Sequence, residues 1–276
     1  MLDLTVTFMA FFSFCAGQIT GFEIPAAVPR NKTVKFVLRV PEGFSENDAK
    51  NYKIMVLFGG RNWTGERTIK VYNFVKPADK YKLFLLSPSF INDNYWNPEK
   101  WSGEVMLRAL EKVKIKYSLN KGSKIIYFGY SAGAQCAALF YHWKPDIVLA
   151  WGVYACGVWF SPEKKVVDAA PALVTCGEED EGRYLLSRRF VRSARERGYS
   201  VIWRSYPAGH GLSSEALRLA ESFFSSILSG KTRPEYVGDD QEMKFYPAEN
   251  KNGRNIDIEY RNSFFSLETA RLWRGY

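Results

Sequence analysis

The chain has 276 residues, 46% of them hydrophobic and 24% charged, with a formal net charge of +9. That is enough chain for one domain with a large core. The basic residues are spread along the sequence with no aromatic-interleaved basic motif, so the charge does not mark nucleic-acid binding. The two histidines and four cysteines show no metal-ligand spacing, and no glycine loop is built to cradle phosphate, so no metal or other cofactor is expected.

Taken in chain order, Leu4 to Ala16 is almost free of charge and too short to span a bilayer. It reads as the core of an export signal over residues 1–17, cleaved near Ala16 or Gly17, although the usual basic residues ahead of it are missing. That reading places the protein outside the cytoplasm, secreted or periplasmic; a buried first strand or helix in a cytoplasmic protein is the alternative. No stable membrane insertion is expected. Val37-Leu38-Arg39-Val40 leads toward the first core strands. Ile54-Met55-Val56-Leu57-Phe58 is a buried-strand run ending in Gly59-Gly60-Arg61-Asn62. Tyr81 to Leu86 reads as a strand. Met106, Ala109, Leu110, Val113 and Tyr117 recur at helical spacing.

Ile125-Ile126-Tyr127-Phe128 then runs into Gly129-Tyr130-Ser131-Ala132-Gly133 and the small-residue stretch Ala134 to Leu139. This is strand, sharp turn, helix. A serine on such a turn is held in a strained conformation with its hydroxyl pushed out over the sheet edge. The flanking glycines let the helix pass close to the strand. The serine also stands at a helix N-terminus, where N–H groups favour a developing oxyanion.

A base for Ser131 follows by elimination. His142 lies eleven residues on along the same predicted helix, roughly 16 Å away along its axis. That leaves His210, in the glycine-flanked segment Pro207 to Leu212 after the strand-like Tyr199 to Arg204. Between them, the buried run Ala172 to Gly177 ends in Glu178-Glu179-Asp180-Glu181. One of these acids can orient a histidine, and the cluster also suits a helix N-terminus; the residues alone leave the choice among the four open.

Around these segments, residues 145–153 contain another buried strand. Leu186, Phe190 and Ala194 form a helix stripe that stops at Gly198, and Leu217, Ala220, Phe224 and Ile227 form one that stops at Gly230. Apolar strands alternating with amphipathic helices predict an α/β domain over 18–230, with a mostly parallel sheet covered on both faces. Residues 231–276 carry few apolar runs and are expected to wrap onto that domain, ending in a short helix over 266–273. Arg183, Arg188, Arg189, Arg192, Arg195 and Arg197 share one predicted helix and are expected to form a solvated face. Cys136, Cys156 and Cys176 fall in or beside core elements, where free buried thiols are the default; in an exported protein Cys156 and Cys176 could pair.

The order Ser131, acid, His210 resembles that of the α/β-hydrolase superfamily. More closely the chain resembles its compact esterase branch, with the polyhydroxybutyrate-depolymerase-like and dienelactone-hydrolase-like proteins. The resemblance covers roughly residues 34–228. It rests on Val37 to Gly43, on Gly129-Tyr130-Ser131-Ala132-Gly133, on Gly177-Glu178-Glu179-Asp180 and on Gly209-His210-Gly211. It implies an α/β-hydrolase fold and an acid three residues beyond the glycine that ends its strand, which selects Asp180, with Glu179 second. It also implies an oxyanion hole built from the N–H groups of Ala132 and of Gly60 or Arg61. Phe58 stands where that family's oxyanion loop usually begins with histidine.

The 155–171 connection is too short for a large lid, so an open cleft for a small-molecule or polymer ester is implied. Trp63, Tyr95, Trp96, Trp101, Trp159 and Phe160 sit in stretches that would rim it. Trp63, Trp96 and Trp159, with Tyr130 inside the turn, are the candidate substrate contacts. A serine hydrolase acting on carboxylic esters is the leading expectation. A serine peptidase of prolyl-oligopeptidase type, and a non-catalytic binding protein of the same fold, are the alternatives.

Overall fold

The structure, a computed structural model, describes residues 17–27, 32–91, 95–158, 160, 162 and 169–275. Most of the expected export signal, and Trp159, lie outside the described residues.

The elements before the Ser131 turn are β1 (Ile19–Pro25), β2 (Thr33–Arg39), β3 (Lys53–Phe58), α1 (Gly65–Tyr72), α2 (Val75–Lys80), β4 (Leu83–Pro88), α3 (Gly103–Lys116) and β5 (Ile125–Tyr130). After it come α4 (Ala132–Trp143), β6 (Val148–Tyr154), β7 (Ala172–Gly177), α5 (Glu181–Glu196), β8 (Val201–Tyr206) and α6 (Ser214–Leu228). The last stretch holds β9 (Tyr236–Asp239), β10 (Lys244–Pro247), α7 (Lys251–Arg254), β11 (Arg261–Phe264) and α8 (Leu267–Arg274).

Eight strands form one sheet in the order β1-β2-β4-β3-β5-β6-β7-β8. β3 to β8 pair in parallel, while β1 and β2 are antiparallel to their neighbours. Strands β3 to β7 are buried along almost their whole length because both faces are covered, as the alternation predicts. One face carries Val56, Phe58, Tyr127, Trp151 and Val174 against Met106, Ala109, Phe140 and Phe190 of α3, α4 and α5. The other carries Leu57, Leu85, Phe128 and Leu173 against Ile69, Tyr72, Phe223, Phe224 and Trp273 of α1, α6 and α8. From β3 the chain steps outward to β4, then returns to β5 on the opposite side of β3. The strand ends of β3 and β5 therefore flank a switch point, where open α/β sheets form their crevice.

Element boundaries shift where the backbone turns. β4 begins at Leu83 rather than Tyr81, because Tyr81 caps α2 and Lys82 takes a positive φ of 56°. Residues 231–276 hold more than the expected helix: α8 is present, with Ser266 capping Thr269 N–H, and beside it a three-stranded sheet β10-β9-β11. Each of its strands is four residues long, too short for a period-2 pattern to stand out.

This small sheet and α8 close the open side of β8. Asn262 Oδ1 accepts the Trp203 N–H at 2.6 Å, and Trp273 Nε1 donates to the Trp203 carbonyl at 2.7 Å. An edge strand otherwise offers such groups to other chains.

The arginine helix departs from the expected solvated face. Arg195 is only 1% exposed, and its guanidinium donates to Asp240, to the Glu259 carbonyl and to Asn262. Arg188 also donates to Asp240, and Arg192 pairs with Glu259. Part of the helix face is thus covered by the chain after β8, which supplies the acids and carbonyls that a buried guanidinium needs. Cys136, Cys156 and Cys176 are buried and free. No helix among the described residues is long and apolar enough to cross a membrane.

Candidate active site

β5 delivers Ser131 to the C-terminal edge of the sheet. The residue has φ 56° and ψ −120°, and its N–H donates to the Tyr154 carbonyl at 2.9 Å. A side-chain-bearing residue rarely holds a positive φ, and the crossing of strand and helix fixes it here. A Cβ on Gly129 would collide with the backbone of Gly133, and one on Gly133 with the carbonyls of Phe58 and Gly59. Both glycines are required for α4 to start this close to β5 and β3.

Two further loops converge on the serine. Ser131 Oγ lies 2.8 Å from His210 Nε2, and His210 Nδ1 lies 2.7 Å from Asp180 Oδ2. The turn after β7 and the histidine loop after β8 are zipped together. Glu178 N–H donates to the Tyr206 carbonyl and Glu179 N–H to that of Ala208, at 2.9 and 3.1 Å. Gly177 allows this, since a Cβ there would run into the Ala208 and Gly209 carbonyl oxygens. The other acids point elsewhere: Glu178 accepts from Ser205 Oγ at 2.8 Å, and Glu181 opens α5. His142 sits exposed on α4 and stacks on Phe160, with ring centroids 4.6 Å apart.

Asp180 is buried, with Arg183 Nη1 on its second oxygen at 3.0 Å. Its charge is felt nearby. The Cys176 thiol is pushed up to about 12, mainly by burial and then by Asp180. The Tyr130 hydroxyl is raised by burial and by Asp180, with Arg183 opposing.

The loop after β3 borders Ser131 on the other side. Tyr72 Oη donates to the Phe58 carbonyl at 2.6 Å, and Trp63 N–H closes a turn on the Gly60 carbonyl at 3.0 Å. The N–H groups of Gly60, Arg61 and Ala132 donate to no acceptor among the described residues. Ala132 is the first helical residue, so its N–H has no partner within α4. Phe58 is a core residue, its ring 5.3 Å from that of Phe140 and 5.7 Å from that of Tyr127.

The aromatic residues separate into two groups. Tyr130 stacks on His210 at 5.5 Å and on Tyr154 at 5.7 Å, and Trp63 leans on Tyr130 at 5.7 Å with Arg67 over its indole. Trp96 is half-buried edge-on to Tyr95, and Trp101 is buried edge-on to Phe90, both on the α3 side of the sheet. Tyr130 thus adjoins the serine–histidine pair with Trp63 packed on it, whereas Tyr95 and Trp101 serve packing. The Arg183 contact had no sequence signal beyond its i, i+3 spacing from Asp180.

No protein-family profile and no curated protein matches the sequence. Solved structures match the fold. A ferulic acid esterase superposes with a TM-score of 0.62 at 15% identity, over 78% of this chain and 100% of its own. An S-formylglutathione hydrolase from Staphylococcus aureus does so at 0.57 and 14%, over 78% and 97%. A poly(3-hydroxybutyrate) depolymerase from Bordetella parapertussis gives 0.55 and 16%, over 75% and 89%. With the sheet order, the elbow at Ser131 and these likenesses together, the chain has the α/β-hydrolase fold.

Proposed function

We propose that this protein is a serine hydrolase that cleaves carboxylic esters through an acyl-enzyme. The observation that carries the reading is the unbroken chain Ser131 Oγ, His210 Nε2, His210 Nδ1, Asp180 Oδ2, at 2.8 and 2.7 Å, on a serine held at positive φ.

In this reading Ser131 Oγ attacks the ester carbonyl while its proton passes to His210 Nε2. Asp180 holds the imidazole tautomer and balances the imidazolium. The tetrahedral oxyanion takes the free N–H groups of Ala132 and of Gly60 or Arg61. Collapse expels the alkoxide, which takes the proton from His210 and leaves an acyl-serine. Water then attacks the acyl carbon, giving its proton to His210, and the carboxylic acid departs as Ser131 regains a proton. Trp63, which leans on Tyr130 and lies against Gly60, offers an apolar surface for the acyl or alcohol group. That a ferulic acid esterase and a poly(3-hydroxybutyrate) depolymerase share the fold supports this class of substrate.

The test is labelling by a fluorophosphonate, followed by turnover of aryl, acetyl-sugar and hydroxyalkanoate esters. Labelling on Ser131 alone, abolished in Ser131→Ala, is expected. Undiminished labelling of Ser131→Ala would reject the reading in favour of a non-catalytic binding protein.

A further inference from the structure

Asp180 is poor in hydrogen-bond partners for a carboxylate with 7% side-chain exposure. Among the described residues it has two: His210 Nδ1 on Oδ2, and Arg183 Nη1 on Oδ1. It occupies the N-cap position of α5 yet accepts no N–H of the first turn through its side chain. The oxygen that does not face the histidine is therefore held by a cation. Arg183 stands one turn along α5, its side chain 41% exposed. A Cβ on Gly157, which has φ 63°, would lie 3.1–3.3 Å from the Arg183 Cα, Cβ and Cγ. The arginine is wedged between the end of β6 and the acid turn, and its charge reaches Tyr130, Cys156 and Cys176.

We infer that Arg183 is a positioning residue of the Ser131–His210–Asp180 system, and that its charge, more than its bulk, sets the pH dependence of Ser131 reactivity. The inference rests on the hydrolase reading above. As a half-exposed ion pair one helical turn apart, Arg183–Asp180 contributes little to stability. Its effect falls on the reaction, in which a positive imidazolium forms on the far side of the same carboxylate. Arg183 holds the carboxylate turned so that Oδ2 faces His210, and its charge opposes a second cation there.

The groups facing His210 are Asp180 from the turn after β7 and Tyr130 and Ser131 from the elbow. Glu179 flanks Gly209, and Tyr154 and Cys176 lie one layer behind. Arg183 is the one cation in contact with Asp180 among the described residues. Removing it takes a positive charge from the far side of the carboxylate that faces His210, so the acid limb of Ser131 reactivity should move to higher pH.

The experiment measures the rate at which a fluorophosphonate labels Ser131 between pH 5 and about 9, in wild type, Arg183→Gln, Arg183→Lys and Ser131→Ala. Arg183→Gln should slow labelling roughly tenfold, the loss of one charged hydrogen bond to the carboxylate. It should also move the acid limb of the profile upward by roughly one pH unit. Arg183→Lys, which keeps the charge, should return the limb to its wild-type position and recover most of the rate. Arg183→Gln with the wild-type rate and limb, or Arg183→Lys no better than Arg183→Gln, overturns the inference. Absent labelling in wild type, or labelling that survives in Ser131→Ala, overturns instead the hydrolase reading on which it rests.

Discussion

Gly177 faces Ala208 so closely that any side chain at 177 would occupy the position of the Ala208 carbonyl oxygen. This contact joins two segments thirty residues apart in sequence and sets Asp180 against His210.

Gly177→Ala should therefore damage function more than its one methyl suggests. Forcing the acid turn and the histidine loop apart by part of an ångström should cut Ser131 labelling by roughly 10²-fold. Overpacking should also cost about 1–3 kcal/mol of stability. Labelling rates and urea midpoints of the purified variant check both; an unchanged labelling rate would show that the loops can shift without misaligning the histidine.

The two histidines should separate cleanly. His210→Ala should lower turnover by roughly 10⁴–10⁶-fold, and adding Ser131→Ala should cost little more, because the members act as a unit. His142→Ala, at an exposed site stacked on Phe160, should leave turnover within about a factor of three, the scale of a surface change. The single variants and the double variant, assayed on one aryl ester, decide it.

The four consecutive acids offer an internal control. Asp180→Asn should drop turnover by about 10³–10⁴-fold through the wrong imidazole tautomer. Glu178→Gln removes the charge from the acceptor of the Ser205 hydroxyl and leaves an oxygen that can still accept it. With Glu179→Gln and Glu181→Gln it should stay near wild type. A collapse in Glu179→Gln with Asp180→Asn unaffected would transfer the acid role to Glu179.

Asp240 should matter for stability and not for chemistry. Asp240→Ala leaves the Arg195 guanidinium buried with no carboxylate partner, which should cost about 3–5 kcal/mol. Adding Arg195→Met, which removes the stranded charge, should return part of that loss. Urea unfolding of the single and double variants gives the coupling directly. Additive losses would mean that the pair is not a unit.

The grouping of residues at the candidate site was largely legible because they carry local signals. The elbow announces itself by glycines two residues either side of Ser131, and two histidines left one candidate for a base. Asp180 was harder, since four acids share the turn: the residues alone left the choice open, the family resemblance pointed to Asp180 with Glu179 second, and it is Asp180 that lies 2.7 Å from His210. The sheet strands were legible from apolar runs. β9, β10 and β11 were not, because four residues are too few for alternation to show. The burial of Arg195 was hidden for a different reason. Nothing local to α5 says that Asp240 and Asn262, 45 and 67 residues later, will lie across it. Tyr130 likewise read as a substrate contact, and its stacking on His210 depends on a loop eighty residues away.

The two side chains that cover Trp203 have a consequence for the order of events during synthesis. Trp273 follows Trp203 by seventy residues, which at a ribosomal rate of roughly 5–20 residues per second is a delay of about 4–14 s. During that interval β8 can pair with β7 and complete the parallel sheet, yet its outer edge has neither Asn262 nor Trp273 to occupy it. Nascent chains arrested before Asn262 has emerged should therefore associate through β8 more readily than chains arrested after Trp273, as measured by crosslinking between polysomes. Equal crosslinking would mean that some other segment guards the edge in the meantime. The strand that delivers the His210 loop is thus assembled early and made safe late, and chaperone demand should be highest in the seconds between.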